Sequence, residues 1–148
     1  MAENNISNLM INHHALIGAI FILFRDEVKE KSPRAGSTLS ELAWEIKKHF
    51  FAEENAIFDF IPLRDMNIFK TINHLKDEHL AMLNSLKNFS DNFLEITDEQ
   101  IEEFFNLLED HHQTEEQNLY PKLDKELRDE QKKKIVSRIN EIPINDNK

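Results

Sequence analysis

Four apolar stripes of helical period run along this chain, and each carries a histidine where a packed core calls for leucine. The first holds Leu9, His13, Ile17, Ile20, Phe24 and Val28, and the second Leu39, Leu42, Ile46, His49, Glu53 and Ile57. The third holds Ile68, Ile72, Leu75, His79, Met82, Leu83 and Leu86, and the fourth Ile101, Phe104, Leu108, His111, Glu115 and Leu119. Recurrence at three and four residues predicts helices, the first over about residues 6–31, the second ending near 61 and the third near 93. Thr38 with Glu41 and Thr97 with Gln100 have capping-box spacing, and Asp65 or Asn67 is placed to cap the third helix. Ser32 to Ser37 and Pro62 are breaks. A shorter helix is expected over about residues 130–140, packed on the outside, with a frayed polar tail at 143–148. Only 2 Gly and 4 Pro interrupt the 148 residues, which suits helices on short connections. The expectation is a single all-α domain: an up-down-up-down four-helix bundle over about residues 6–125 with a short extra C-terminal helix.

Two of the stripes carry the same motif, H-x-x-x-E-E, as His49 to Glu53 and Glu54 and as His111 to Glu115 and Glu116. An apolar-aromatic pair follows each, Ile57-Phe58 and Leu119-Tyr120. Chance would place roughly 0.1 such motif in a chain of this composition. Four residues on a helix stack an imidazole and a carboxylate one turn apart on one face. Burying them unpaired costs several kcal/mol, so a core that carries them calls for a cation. Histidines near positions 14, 49, 79 and 111 recur after 35, 30 and 32 residues, an interval that returns an antiparallel chain to the same height. The order reads as a repeated hairpin, His13 or His14 with His49/Glu53, then His79 with His111/Glu115. A quasi-twofold axis would bring two metals together with Glu53 and Glu115 as bridging carboxylates. No cysteine is present, so ligands must be N and O. Imidazole with carboxylate suits iron first, with manganese or zinc as alternatives.

The segments Asn12-His13-His14-Ala15-Leu16-Ile17, His49 to Glu54, Asp77 to Leu83 and His111 to Pro121 resemble the hemerythrin-like, HHE cation-binding family, over about residues 6–125. That resemblance implies a four-helix bundle in which His13 or His14, His49, His79 and His111 are terminal ligands of two irons bridged by Glu53 and Glu115. It also implies a protein that binds or senses dioxygen, nitric oxide or peroxide, or that stores or handles iron under oxidative stress. His13 and His14 lie about 100° apart on a helical wheel, so one of them is the ligand, with a slight preference for His14. Where oxygen-carrying relatives have His-x-x-x-His on the third helix, this chain has Leu75 before His79, and His74 with Glu78 is offered as an additional ligand pair or a supporting one. The missing nitrogen favours reactivity over reversible carriage. His112, Glu54 and Glu116 fall one residue off the inner stripe and are expected to face solvent or to support the ligands. Phe50, Phe58 and Tyr120 are expected to line a dry pocket, with Tyr120 alternatively bonded to a ligand carboxylate.

A net charge of −10 argues against nucleic acid and anionic lipid as partners. The longest apolar run, residues 15–24, is about half the length needed to span a bilayer, and no signal-peptide pattern precedes it. A cytoplasmic protein with a small oxidant as its ligand is the expectation; a protein partner is not specified by the sequence.

Overall fold

Asn5 starts the first helix, its side chain accepting the backbone N–H of Asn8 at 3.0 Å. The computed structural model describes residues 5–58 and 66–141. In α1, Ile6–Lys29, the next two free N–H groups, those of Ile6 and Ser7, donate to the Asp124 carboxylate at 2.8 and 3.0 Å. A residue more than a hundred positions along the chain thus satisfies the helix start. At the other end Lys31 adopts φ 55°, and the N–H groups of Ser32 and Lys31 return to the carbonyls of Glu27 and Val28 at 2.8 and 3.1 Å. This left-handed closure ends the helix and reverses the chain.

The reversal is tight enough that α2, Ala35–Ala52, begins ahead of the expected cap. Thr38 lies inside the helix, buried, with its N–H bonded to Arg34 O at 2.9 Å, so no capping box forms with Glu41. In α3, Met66–Asp91, Asn67 falls within the first turn; Asp65, Pro62 and the expected end of the second helix near 61 lie outside the described residues. α4, Asp98–Thr114, does open on the Thr97/Gln100 capping box, with reciprocal bonds of 3.2 and 2.9 Å. It runs on into α5, Tyr120–Glu126, and is followed by α6, Asp129–Glu141. The expected tail at 143–148 lies outside the described residues.

Helices α1 to α4 form a ring in which each packs on the next and α4 returns to α1, the up-down-up-down bundle; no strand occurs among the described residues. α6 crosses outside it, burying Ile135 and Ile139, and Arg138 Nη2 donates to Asn55 O at 3.3 Å. By length and by a mean hydropathy of 1.5, α1 would pass for a membrane span. Its inner face instead buries Met10, His14, Ile17, Phe21 and Phe24 in the bundle.

Two apolar clusters make up the core. One gathers Met10, Ile57, Phe58, Leu75, Leu119 and Tyr120 beneath α6; the other gathers Ile17, Phe24, Ile46, Met82, Phe89 and Phe104 at the opposite end. Between them, on every one of the four helices, lies a buried layer of His14, His49, Glu53, His79, His111, His112 and Glu115.

Candidate metal centre

At the layer, α2 and α4 both leave the α-helical repeat. Five residues, Glu53–Ile57 and Glu115–Leu119, form a π-helical turn, closed by the N–H of Phe58 on Glu53 O and of Tyr120 on Glu115 O. Each π turn starts on the glutamate of its motif. One extra residue per turn brings both members of the following pair inward, so Ile57 and Phe58, and Leu119 and Tyr120, are all buried. A regular helix would have buried one of each pair. The adjacent apolar and aromatic residues were the sequence signal for this insertion, and regular helical periodicity passed over it.

The layer resolves into two groups of four, His14, His49, Glu53, Glu115 and Glu53, His79, His111, Glu115, with the donor atoms of each within 4.8 Å of one another. The glutamates are common to both. Glu115 spans them, with Oε1 3.0 Å from His14 Nε2 and Oε2 3.2 Å from His111 Nε2. Glu53 Oε1 lies 3.1 Å from His79 Nε2 and 3.7 Å from His49 Nε2. Its Oε2 accepts the Tyr120 hydroxyl, and that hydroxyl is also 3.3 Å from His14 Nε2. All four imidazoles therefore aim Nε2 inward.

Their Nδ1 atoms are held from behind. Glu116 takes His14 at 2.6 Å, Glu54 takes His79 at 2.7 Å and Glu78 takes His111 at 2.8 Å. His13 Nδ1 approaches His49 Nδ1 at 3.4 Å. Such partners fix ring orientation and raise ligand basicity. The motif's second glutamate crosses to the other hairpin in both halves, Glu54 from α2 to α3 and Glu116 from α4 to α1.

This places every residue singled out in the sequence. His14 and not His13 enters one of these groups, because the α1 face that buries Met10 and Ile17 also points His14 inward. His74 is exposed and pairs with Glu78 at 3.2 Å; it reaches neither group, and Glu78 acts from behind His111. Glu54 and Glu116 are at the protein edge with their carboxylates turned in. His112 is the correction: it is not solvent-facing but 5% exposed, stacked on the His14 ring at 3.7 Å. His112 follows buried Leu108 by four residues, one helical turn, and so shares the buried face of α4 with His111. Phe50 stacks on His79 at 3.8 Å and Phe58 lies 6.0 Å from the same ring. These aromatics wall the layer but do not line the cavity of about 230 Å³ that is bounded by His13, Leu16, Ile17, Glu45, Lys48 and His49 among others.

The electrostatics fit a cation. Burial lowers the pKa of His14 most strongly, helped by His112 and His49; burial likewise brings His49 down to about 4, and lowers His111. Burial also lowers His79, but hydrogen bonds and charge from Glu53 and Glu54 more than reverse this and leave it raised. For Glu53 burial pushes upward, yet the charge of His49, the close approach of the Glu115 carboxyl and a hydrogen bond from His79 carry it well below the usual range. Glu115 goes the other way, driven up by burial and by the Glu53 charge beside it. Two touching buried carboxylates cannot both ionise without a positive charge. Both Glu115 oxygens and His111 Nε2 are buried with no hydrogen-bond partner. Imidazoles, three of them held neutral by burial, an unsatisfied carboxyl group and no thiolate form a donor set for a borderline divalent metal.

One consequence is testable on metal-free protein. His49 is lowered to about 4 and His112, by burial first, to about 3, while both sit near 6.5 unfolded. Below pH 6.5 the unfolded chain binds protons that the native one refuses, so stability is fully present above that pH and falls as pH drops toward 4. The slope is about 1.4 kcal/mol per pH unit for each such histidine. Thermal midpoints from pH 7.5 to 4.5 should decline below pH 6.5; a flat profile would refute neutral burial.

A family model described as the hemerythrin HHE cation-binding domain matches residues 4–123. No curated protein and no solved structure matches the chain.

Proposed function

Since the chain belongs to the hemerythrin HHE cation-binding family, we propose that its two His/Glu groups hold two irons bridged by Glu53 and Glu115, and that the centre binds or senses dioxygen or a related small oxidant such as nitric oxide or peroxide. The observation that carries this is the pair of four-residue groups sharing both glutamates. Each group is two imidazoles and two shared carboxylates, short of an octahedral shell, which leaves room for an external ligand. Manganese or zinc would fit the same donors with less open chemistry.

When bound, iron supplies the electrons that a small oxidant takes up. The chain's part is to hold the ligands still, through Glu54, Glu78, Glu116 and His13, and to keep water out with the apolar clusters above and below. Tyr120 holds one Glu53 oxygen. We take the protein to be a soluble cytoplasmic binding module with no nucleic-acid or membrane partner.

A second reading, iron oxidation, peroxide breakdown or iron donation to damaged clusters, has one observation in its favour. Leu75, where oxygen-carrying relatives have a further histidine, is fully buried in the apolar core. The lost nitrogen leaves more of the centre open to reaction. Anaerobic loading with Fe(II), a metal count and optical spectra before and after admitting air separate the readings. Two irons and a band that appears in air and fades on deoxygenation are expected for a carrier or sensor. Irreversible conversion to a ferric spectrum supports the second reading, and one metal or none overturns both.

A further inference from the structure

From Ile6 to Phe24 the chain passes without an aspartate, glutamate, lysine or arginine, although those four types make up 31% of it. The inner face of α1 accounts for part of this, since Met10, His14, Ile17, Phe21 and Phe24 are buried in the bundle. It does not account for the rest. Only 33% of the most apolar stretch of the helix is buried. Ile11, Leu16, Ile22 and Leu23 stand 40–50% exposed on the outer face, with exposed Ala15 and Ala19 among them. Apolar side chains scattered singly over a surface are ordinary, but a contiguous patch on one helix marks a contact site.

The patch is self-complementary. Ile11, Ala15, Gly18 and Ile22 follow one another at steps of four, three and four, the spacing of a seam between paired helices. Their order of size, large, small, small, large, reads the same in both directions. An antiparallel copy of α1 therefore sets Ile11 against the partner's Ile22 and Ala15 against the partner's Gly18, each contact occurring twice about a twofold axis. At Gly18 a side-chain carbon would meet nothing within 4 Å, so the notch is open and the two backbones can approach closely there.

Charge selects the same occupant and the same direction. Two copies that each carry −10 repel, and least of all across a face with no charge on it. The charges of α1 are gathered at its C-terminal end, in Arg25, Asp26 and Lys29. Antiparallel pairing lays that end beside the partner's Ser7 and Asn8 and opposes the two helix dipoles, whereas parallel pairing lays each charge beside its own copy. The face offers roughly 500 Å² on each chain, which meets the about 1,000 Å² in total that a specific interface needs. A bilayer is the other apolar medium for such a helix, but the buried half of α1 cannot enter one without opening the bundle.

We propose that the outer face of α1 is the interface of a reversible, antiparallel twofold dimer of this chain, centred between Ala15 and Gly18. The contact lies on the side of α1 away from the metal layer, so it forms without disturbing the ligands.

Sedimentation equilibrium on the full chain, over about 5 to 500 μM, tests it. The native protein should pass with concentration from the 17.5 kDa monomer to twice that mass. Ile22→Glu buries a carboxylate in the seam and should raise Kd at least about tenfold, with an unchanged circular dichroism spectrum because the position is 44% exposed in the monomer. Leu94→Glu, at a 95% exposed position off α1, should leave Kd unaltered. Ile11→Lys combined with Ile22→Glu sets opposite charges face to face only in the antiparallel register, and should bind at least about fivefold more tightly than Ile22→Glu alone. A native chain that stays monomeric to the highest concentration, an unchanged dimer in Ile22→Glu, or no recovery in the double variant would each overturn the proposal. Binding of the native chain to phosphatidylcholine vesicles that is lost in Ile22→Glu would also overturn it, by giving the face to a lipid surface.

Discussion

Glu115→Ala should abolish uptake of both metals, not one. Glu115 is the residue whose two oxygens face opposite groups, Oε1 toward His14 and Oε2 toward His111, and it is completely buried. Removing it takes one of four donors from each site at once and leaves two imidazoles and Glu53 around each. Iron per chain, measured after desalting, should fall from two to near zero, with apparent affinity lower by at least about a hundredfold. The stability effect has two signs. Metal-free, the variant should be no less stable than the native chain, because the alanine relieves a carboxylate that burial and Glu53 force against its charge. Loaded, the native protein gains the binding free energy of its metals and the variant does not. Calorimetry with and without iron would therefore show a large metal-dependent rise in Tm for the native chain and almost none for Glu115→Ala. Two irons in the variant would eliminate Glu115 as a bridge.

The neighbouring histidines of α1 provide the second large effect. His14→Ala removes a buried imidazole with Nε2 3.0 Å from Glu115 and 3.1 Å from His49, and it also strips His112 of its stacking partner and Glu116 of its proton donor. Metal content should drop from two to one or below. His13→Ala only unbinds the outer nitrogen of His49 at 3.4 Å; two metals should remain, with affinity lower by roughly tenfold, the lesser end of what losing a supporting partner costs. Equal losses in the two variants would mean that α1 presents both rings to the metals.

The comparison of these two residues marks where the sequence stopped being sufficient. Both positions leave an apolar stripe behind them, so periodicity alone left His13 and His14 open; the packing of Met10 and Ile17 settles the rotation of α1. His112 lies four residues after Leu108, one helical turn on, so the buried face of α4 is two residues wide at this level where a single stripe through His111 takes in only one. By contrast His49, His79, His111 and the two glutamates were legible, because a polar residue in an apolar stripe is visible at single-residue resolution, and so was the bundle, from four such stripes on short connections. The Thr97/Gln100 cap was legible for a local reason, since its partners are three residues apart. The Thr38 cap was misplaced because the start of α2 is set by how α1 ends. The π turns were hidden because periodicity is a rule about regular helices, and both turns break it at the point of chemistry.

Met10, Leu75, Ile57 and Leu119 lie on one side of the polar layer, and Ile17, Met82, Ile46 and Leu108 on the other. Among the described residues no continuous apolar column joins the two ends of the bundle. What crosses the bundle at that height is a set of donor side chains, one or more from each helix, that converge on the same two groups. A cation bound there would act as a weld across that layer. Calorimetry with and without metal is expected to show whether the two ends melt as one cooperative block or as two coupled halves.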